Sequence, residues 1–131
     1  MNIEYANLTS TIIEKAMEVH TVLGPGLLER VYETCLEYEL NKAGLLVERQ
    51  LGIPIQYKKI QLDEGYRIDL LAERTVVLEI KSLERLNEVH SAQILSYMKL
   101  GGFPVGLILN FNVKSLKDGI RRFVIGDNFI K

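Results

Sequence analysis

Apolar residues recur at helical spacing over residues 8–23, where Ile12, Ala16, Val19 and Leu23 share one side. Thr9 or Ser10 can cap the first turn. Gly24-Pro25-Gly26 ends this helix, because proline bars the preceding residue from helical dihedrals and glycine allows a sharp change of direction. The helical period resumes over residues 27–43, with Leu28, Val31, Cys35 and Leu36 as the expected buried face and Gly44 as the closing residue.

From Leu46 the pattern becomes strand-like. Residues 47–51 and 53–60 are rich in β-formers, with a bend or edge at Gly52–Pro54. Asp63-Glu64-Gly65 reads as a turn, residues 66–72 as a strand, Glu73-Arg74-Thr75 as the next turn and residues 76–81 as another strand. A third helix is expected over residues 88–100, stopped by Gly101-Gly102, followed by a continuously apolar strand at 104–110 and an edge strand at 121–125. The order α-α-β-β-β-α-β describes one α/β domain over residues 1–131, a mixed four- to five-stranded sheet flanked by helices. The intervening helix lets strands 76–81 and 104–110 lie parallel through a crossover.

Composition narrows this picture little: 131 residues, 47% hydrophobic and 25% charged, are ordinary for a single globular domain. No apolar run is long enough for a membrane helix, and no N-terminal stretch has the form of a signal peptide. With Cys35 alone, an internal disulfide and a thiolate metal cluster are both excluded, and the cytoplasm is the expected compartment. The net charge of -1 argues against gripping nucleic acid by bulk positive charge, while a local basic rim remains open.

The candidate chemistry lies in Arg67-Ile68-Asp69-Leu70 and Leu78-Glu79-Ile80-Lys81. Strand alternation puts Glu79 and Lys81 on one face and sends Leu78 and Ile80 into the core. A three-residue loop at 73–75 sets Asp69 opposite Glu79, whereas a two-residue loop would pair Asp69 with Leu78 and turn Glu79 away. Two converging carboxylates repel unless a cation sits between them, and Mg²⁺ or Mn²⁺ suits such an oxygen-lined site. Lys81 can orient the attacking water or stabilise developing charge, so the three residues suffice for phosphodiester hydrolysis. The same three residues also fit a solvated sheet face, and spacing alone does not choose.

A resemblance bears on that choice. Gly26-Leu27-Leu28-Glu29-Arg30-Val31-Tyr32 resembles the signature of the GxxExxY family of the PD-(D/E)XK nuclease superfamily. The likeness extends to His20–Gly26, Tyr66–Asp69, Glu79–Lys81, His90–Tyr97, Val105–Phe111 and Lys117–Ile120, nearly the whole chain in order. It implies a restriction-endonuclease-like core with Mg²⁺ as the usual cofactor. Asp69, Glu79 and Lys81 fall on the catalytic positions, and Glu29 matches an acid that completes the metal shell directly or through water. Gln93 and Tyr97 match a helical Gln-x-x-x-Tyr pattern of some nuclease branches. Ile68 departs from the superfamily name, standing where that has proline.

His90 lies one turn before Gln93, so a stripe of His90, Gln93 and Tyr97 can form on the third helix. Tyr97 packing in the core is the competing role. His20 is expected to hydrogen-bond near the glycine-proline bend, and Cys35 to fill core. Lys58-Lys59 and Lys114, Lys117, Arg121 and Arg122 are solubilising charge unless they flank the carboxylates, where they would guide a phosphate backbone. Three functions follow: a metal-dependent nuclease acting on DNA or RNA, a nuclease-fold binding module without efficient cleavage, and a structural homodimer joined through its helices.

Overall fold

The computed structural model describes residues 3–125. Helix α1 spans Ile3–Leu23, starting earlier than its apolar stripe predicts, and buries Ile12, Ala16 and Val19. Thr9 is no cap; it lies inside the helix and its hydroxyl donates to the Tyr5 carbonyl at 2.9 Å. Helix α2, Glu29–Lys42, is rotated from the expected face. It buries Tyr32, Glu33, Leu36 and Leu40 and leaves Leu28 and Val31 exposed.

Tyr32 accounts for the rotation. Its ring stacks on Phe111 at 4.4 Å, and its hydroxyl donates to the Gly24 carbonyl at 2.6 Å and accepts from the Leu27 N–H at 3.0 Å. A buried aromatic engaged at both ends outweighs two aliphatic side chains that water can reach. The rotation turns Glu33 inward and leaves Glu29 outside.

Among the described residues five strands form one sheet in sequence order: β1 (Val47–Tyr57), β2 (Ile60–Ala72), β3 (Val76–Lys81), β4 (Val105–Asn110) and β5 (Ile120–Val124). Helix α3, Glu88–Gly101, makes the crossover between β3 and β4, which pair in parallel as expected. The sheet separates two apolar cores. Leu70, Leu78, Ile80, Leu107 and Leu109 pack with α1 and α2, while Leu71, Val77 and Ile108 pack with Ile94 and Met98 of α3. Each fully buried aliphatic side chain contributes roughly 1.5–3 kcal/mol, so both layers anchor β3 and β4.

The bend or edge expected at Gly52–Pro54 lies within one strand: β1 ends at Tyr57, and a register shift between Ile53 and Ile55 accommodates Pro54 on the sheet edge. The turn expected next is misplaced. The chain reverses at Lys58 and Lys59 instead of 63–65, and Gly65 lies within β2. A Cβ at Gly65 would sit 2.6 Å from the Ile53 carbonyl oxygen, so glycine serves close strand approach there. A short 3-10 helix, Leu116–Gly119, was not anticipated. Among the described residues no helix is long and apolar enough to cross a membrane.

Candidate active site

The hairpin between β2 and β3 has the predicted register: Ala72 faces Val76, Leu71 faces Val77 and Leu70 faces Leu78. The next pair would be Asp69 and Glu79, and there the backbone ladder stops. Asp69 Oδ2 accepts the Ile80 N–H at 2.8 Å, and the Asp69 backbone in turn bonds to the Glu79 carboxylate. Side chains thus replace main-chain partners where the strands part.

β1 breaks at the same level. Gln50 has φ of 53°, a left-handed conformation that disfavours any side chain. Before it, Arg49 reaches α2; after it, Leu51 packs on the α3 side. On β2, Leu70 belongs to the α1–α2 core and Ile68 to the α3 core. Strict alternation would put each of these pairs on one face. The hairpin therefore switches faces at Gln50 and Asp69, and Asp69 lies between the layers.

Glu79 is 5% exposed, and one of its oxygens, Oε1, is buried without a hydrogen-bond partner among the described residues. Burial, then the Asp69 charge, pushes its carboxyl up to about 8 against the opposing pull of Lys81. Burial likewise raises Asp69, opposed by the Ile80 N–H bond. The face carrying Glu79 is not the solvated one of the competing reading: Val76 to Ile80 are buried throughout, because α3 covers it. Lys81 is half-buried and its charge acts on both acids without a direct ion pair.

Tyr97 is buried in the α3 core with its ring 5.1 Å from that of Tyr66. Burial, then the charges of Glu79 and Asp69, pushes its phenol up to about 12. It is thus both core and neighbour of the carboxylates. Gln93, one turn earlier, is half-buried and makes no side-chain hydrogen bond with the described residues. His90 leaves the expected stripe: its Nδ1 accepts the Asn87 N–H, completing the cap of α3. His20 bonds the Val113 carbonyl at 2.8 Å, away from the bend.

Glu29 is exposed in the first turn of α2 and walls a cleft of about 370 Å³ with Glu33, Arg49, Gln50 and Asp69. Glu33 reaches further in. Arg49 Nε donates to it at 2.6 Å, and Gln50 Nε2 bridges it at 3.1 Å to Asp69 at 3.3 Å. Glu33, Arg49 and Gln50 were missed from the sequence. An acid beside Tyr32 in the Leu36–Leu40 stripe was the available signal for Glu33; Gln50 carried none, since its strain arises from tertiary contacts.

Among the described residues no three Cys, His, Asp or Glu side chains are arranged to hold a metal by themselves, so Glu29 does not close a cage with Asp69 and Glu79. The buried, donorless Glu79 Oε1 beside a second carboxylate nonetheless fits a hard cation. Mg²⁺ or Mn²⁺ suits such a pair, because it keeps waters and takes substrate oxygens to complete its shell.

Residues 6–123 match the PD-(D/E)XK nuclease superfamily. The chain belongs to this superfamily. No curated protein and no solved structure matches it. Like a PD-(D/E)XK member, it carries a restriction-endonuclease-like mixed sheet between helices, with parallel β3 and β4 at its centre. The glycine-rich bend before α2 abuts the end of β3, where Ser82 Oγ donates to the Leu27 carbonyl at 2.6 Å.

Proposed function

We propose that this chain is a metal-dependent nuclease that hydrolyses phosphodiester bonds in DNA or RNA, with Asp69, Glu79 and Lys81 as its catalytic residues. The observation that carries this reading is the buried Glu79 carboxylate with an unsatisfied oxygen, held beside Asp69 and Lys81 where β2 and β3 part. The resemblance to the GxxExxY family and the superfamily match support it. Cys35, unpaired, suits a cytoplasmic setting.

Asp69 and Glu79 would hold Mg²⁺ or Mn²⁺, with Glu29 contributing through water from the cleft mouth. When bound, the ion supplies Lewis acidity to the phosphate and lowers the pKa of a water. Ile80 N–H fixes one oxygen of Asp69, leaving the other toward Gln50. Lys81 places a cation by the developing charge, and α3 excludes water from the Glu79 side. Tyr97, like any tyrosine at neutral pH, is a protonated hydrogen-bond donor, and the push of its phenol up to about 12 keeps it so in alkaline solution. Gln93, one turn before it, orients the substrate.

A second reading, a nuclease-fold module that binds nucleic acid without efficient cleavage, draws on Glu33 being committed to Arg49. The test is divalent-dependent cleavage of mixed DNA and RNA by wild type and Asp69→Asn, with melting curves in Mg²⁺ and Mn²⁺. Cleavage by wild type alone, with a metal-induced rise in Tm that Asp69→Asn weakens, supports the nuclease. Nucleic-acid and metal binding without cleavage supports the module instead.

A further inference from the structure

Past β4 the chain passes through Phe111 to Ser115 and the 3-10 turn before returning as β5. This loop is pinned at three points. His20 donates to the Val113 carbonyl at 2.8 Å, Leu116 is buried in the α1-side core, and Gly119 packs so close that a Cβ would overlap the Asn110 carbonyl oxygen.

Between the loop and the end of α1 lies an open cleft of about 240 Å³ whose rim carries the exposed Thr21, Lys114, Ser115 and Lys117, with Met17, His20 and Leu116 completing its lining. Neither lysine pairs with a carboxylate of the described residues, and neither hydroxyl is hydrogen-bonded within them. Ser115 precedes the 3-10 turn without capping it. Asp118, the acid of this turn, is not among the walls. Two cations and two hydroxyls around one hollow, with no acid lining it, match a tetrahedral anion, which accepts charge-assisted bonds from each.

Position narrows the anion's source. Asn110 pairs with Lys81 across the parallel ladder, so β3 and β4 end together. Lys114 is four residues further on, a reach of at most about 14 Å, and one strand spacing adds roughly 5 Å. The Lys114 backbone therefore lies within roughly 20 Å of Lys81, beyond the end where β3 and β4 finish together, and its cleft shares no wall with the cleft at Glu29 and Asp69. Arg122, of the same basic group, is turned elsewhere and donates to Thr9.

We propose that this cleft binds a backbone phosphate of the strand being cleaved, displaced along the chain from the scissile bond. The inference rests on the nuclease reading for its substrate. It also explains how a protein of net charge -1 can hold a polyanion: two lysines are concentrated where the backbone passes, without an overall basic surface.

The test is equilibrium binding of short fluorescent single-stranded DNA and RNA in metal-free buffer across a salt series. Lys114→Ala with Lys117→Ala should weaken binding at low salt about tenfold or more, and reduce the slope of log affinity against log salt by roughly 0.7–1.4. Thr21→Ala with Ser115→Ala should weaken binding less and leave the slope unchanged, which keeps the test alive should the lysine pair misfold. Lys15→Ala with Lys42→Ala, which removes the same charge elsewhere, should keep the wild-type slope. Wild-type affinity and slope in the Lys114/Lys117 variant overturn the subsite, whatever cleavage shows. Nucleic-acid binding that inorganic phosphate competes away in wild type and in that variant alike overturns it too. Altered binding without any metal-dependent cleavage supports the subsite and removes only the nuclease reading.

Discussion

The two halves of β3 are built from one strand and behave as two materials. Val76, Val77 and Leu78 pair with β2 on one side and β4 on the other, and all three are fully buried. Glu79, Ile80 and Lys81 keep β4 but lose the β2 backbone, whose place at Ile80 is taken by the Asp69 carboxylate. One missing neighbour converts core into a charged site without opening it to water. The carboxylates consequently sit where desolvation is severe, and their proton affinity rises together.

The sharpest break of that contrast is to mutate adjacent residues across the boundary. Glu79→Gln should lower cleavage by about 10³-fold or more, roughly 4 kcal/mol in the transition state, while raising the melting temperature of the metal-free protein. Leu78→Ala should do the reverse to stability, costing about 2–5 kcal/mol through the cavity it leaves. Parallel kinetics and thermal melts decide it; a Glu79→Gln protein less stable than wild type in EDTA would show that the carboxylate is not strained there.

The same strain has a pH signature. Glu79 folded titrates at about 8 against 4.5 for an ordinary glutamate, so the stability it lends is complete below 4.5 and is lost as pH rises through 8. Metal-free wild type should therefore lose roughly 3 kcal/mol relative to Glu79→Gln between pH 5 and 8. Urea titrations at several pH values measure it, and parallel curves for the two proteins would contradict it.

Lys81→Ala should cut cleavage about 10²-fold, on the order of 3 kcal/mol, with metal-induced stabilisation largely kept. Cleavage rates beside melting shifts in Mg²⁺ separate these effects. The smallest expected effect is at the left-handed hinge: Gln50→Gly should be more stable than Gln50→Ala by about 1 kcal/mol, because glycine accepts φ of 53° without strain. Equal stabilities would mean that the hinge relaxes on losing the amide bridge to Glu33 and Asp69.

The hairpin register was legible because loop length and strand period are local, and Glu73-Arg74-Thr75 counts correctly to the observed pairing. The crossover between β3 and β4 was legible for the same kind of reason. The rotation of α2 was not. Its sequence offers Leu28–Val31–Cys35 and Tyr32–Leu36–Leu40 as rival stripes, and only Phe111, far along the chain, selects the second. With that rotation went the placing of Glu33 inside and Glu29 outside.

By itself the sequence determined the order of elements, the three-residue loop and the presence of two acids and a lysine at strand spacing, since each depends on neighbours a few residues apart. Only the tertiary structure decided that α3 roofs Glu79, that Gln50 and Asp69 switch the hairpin between layers, and that the loop after β4 sets Lys114 and Lys117 against the end of α1. Those outcomes depend on contacts between distant segments, where packing overrides local preference and burial sets the strength of every charge.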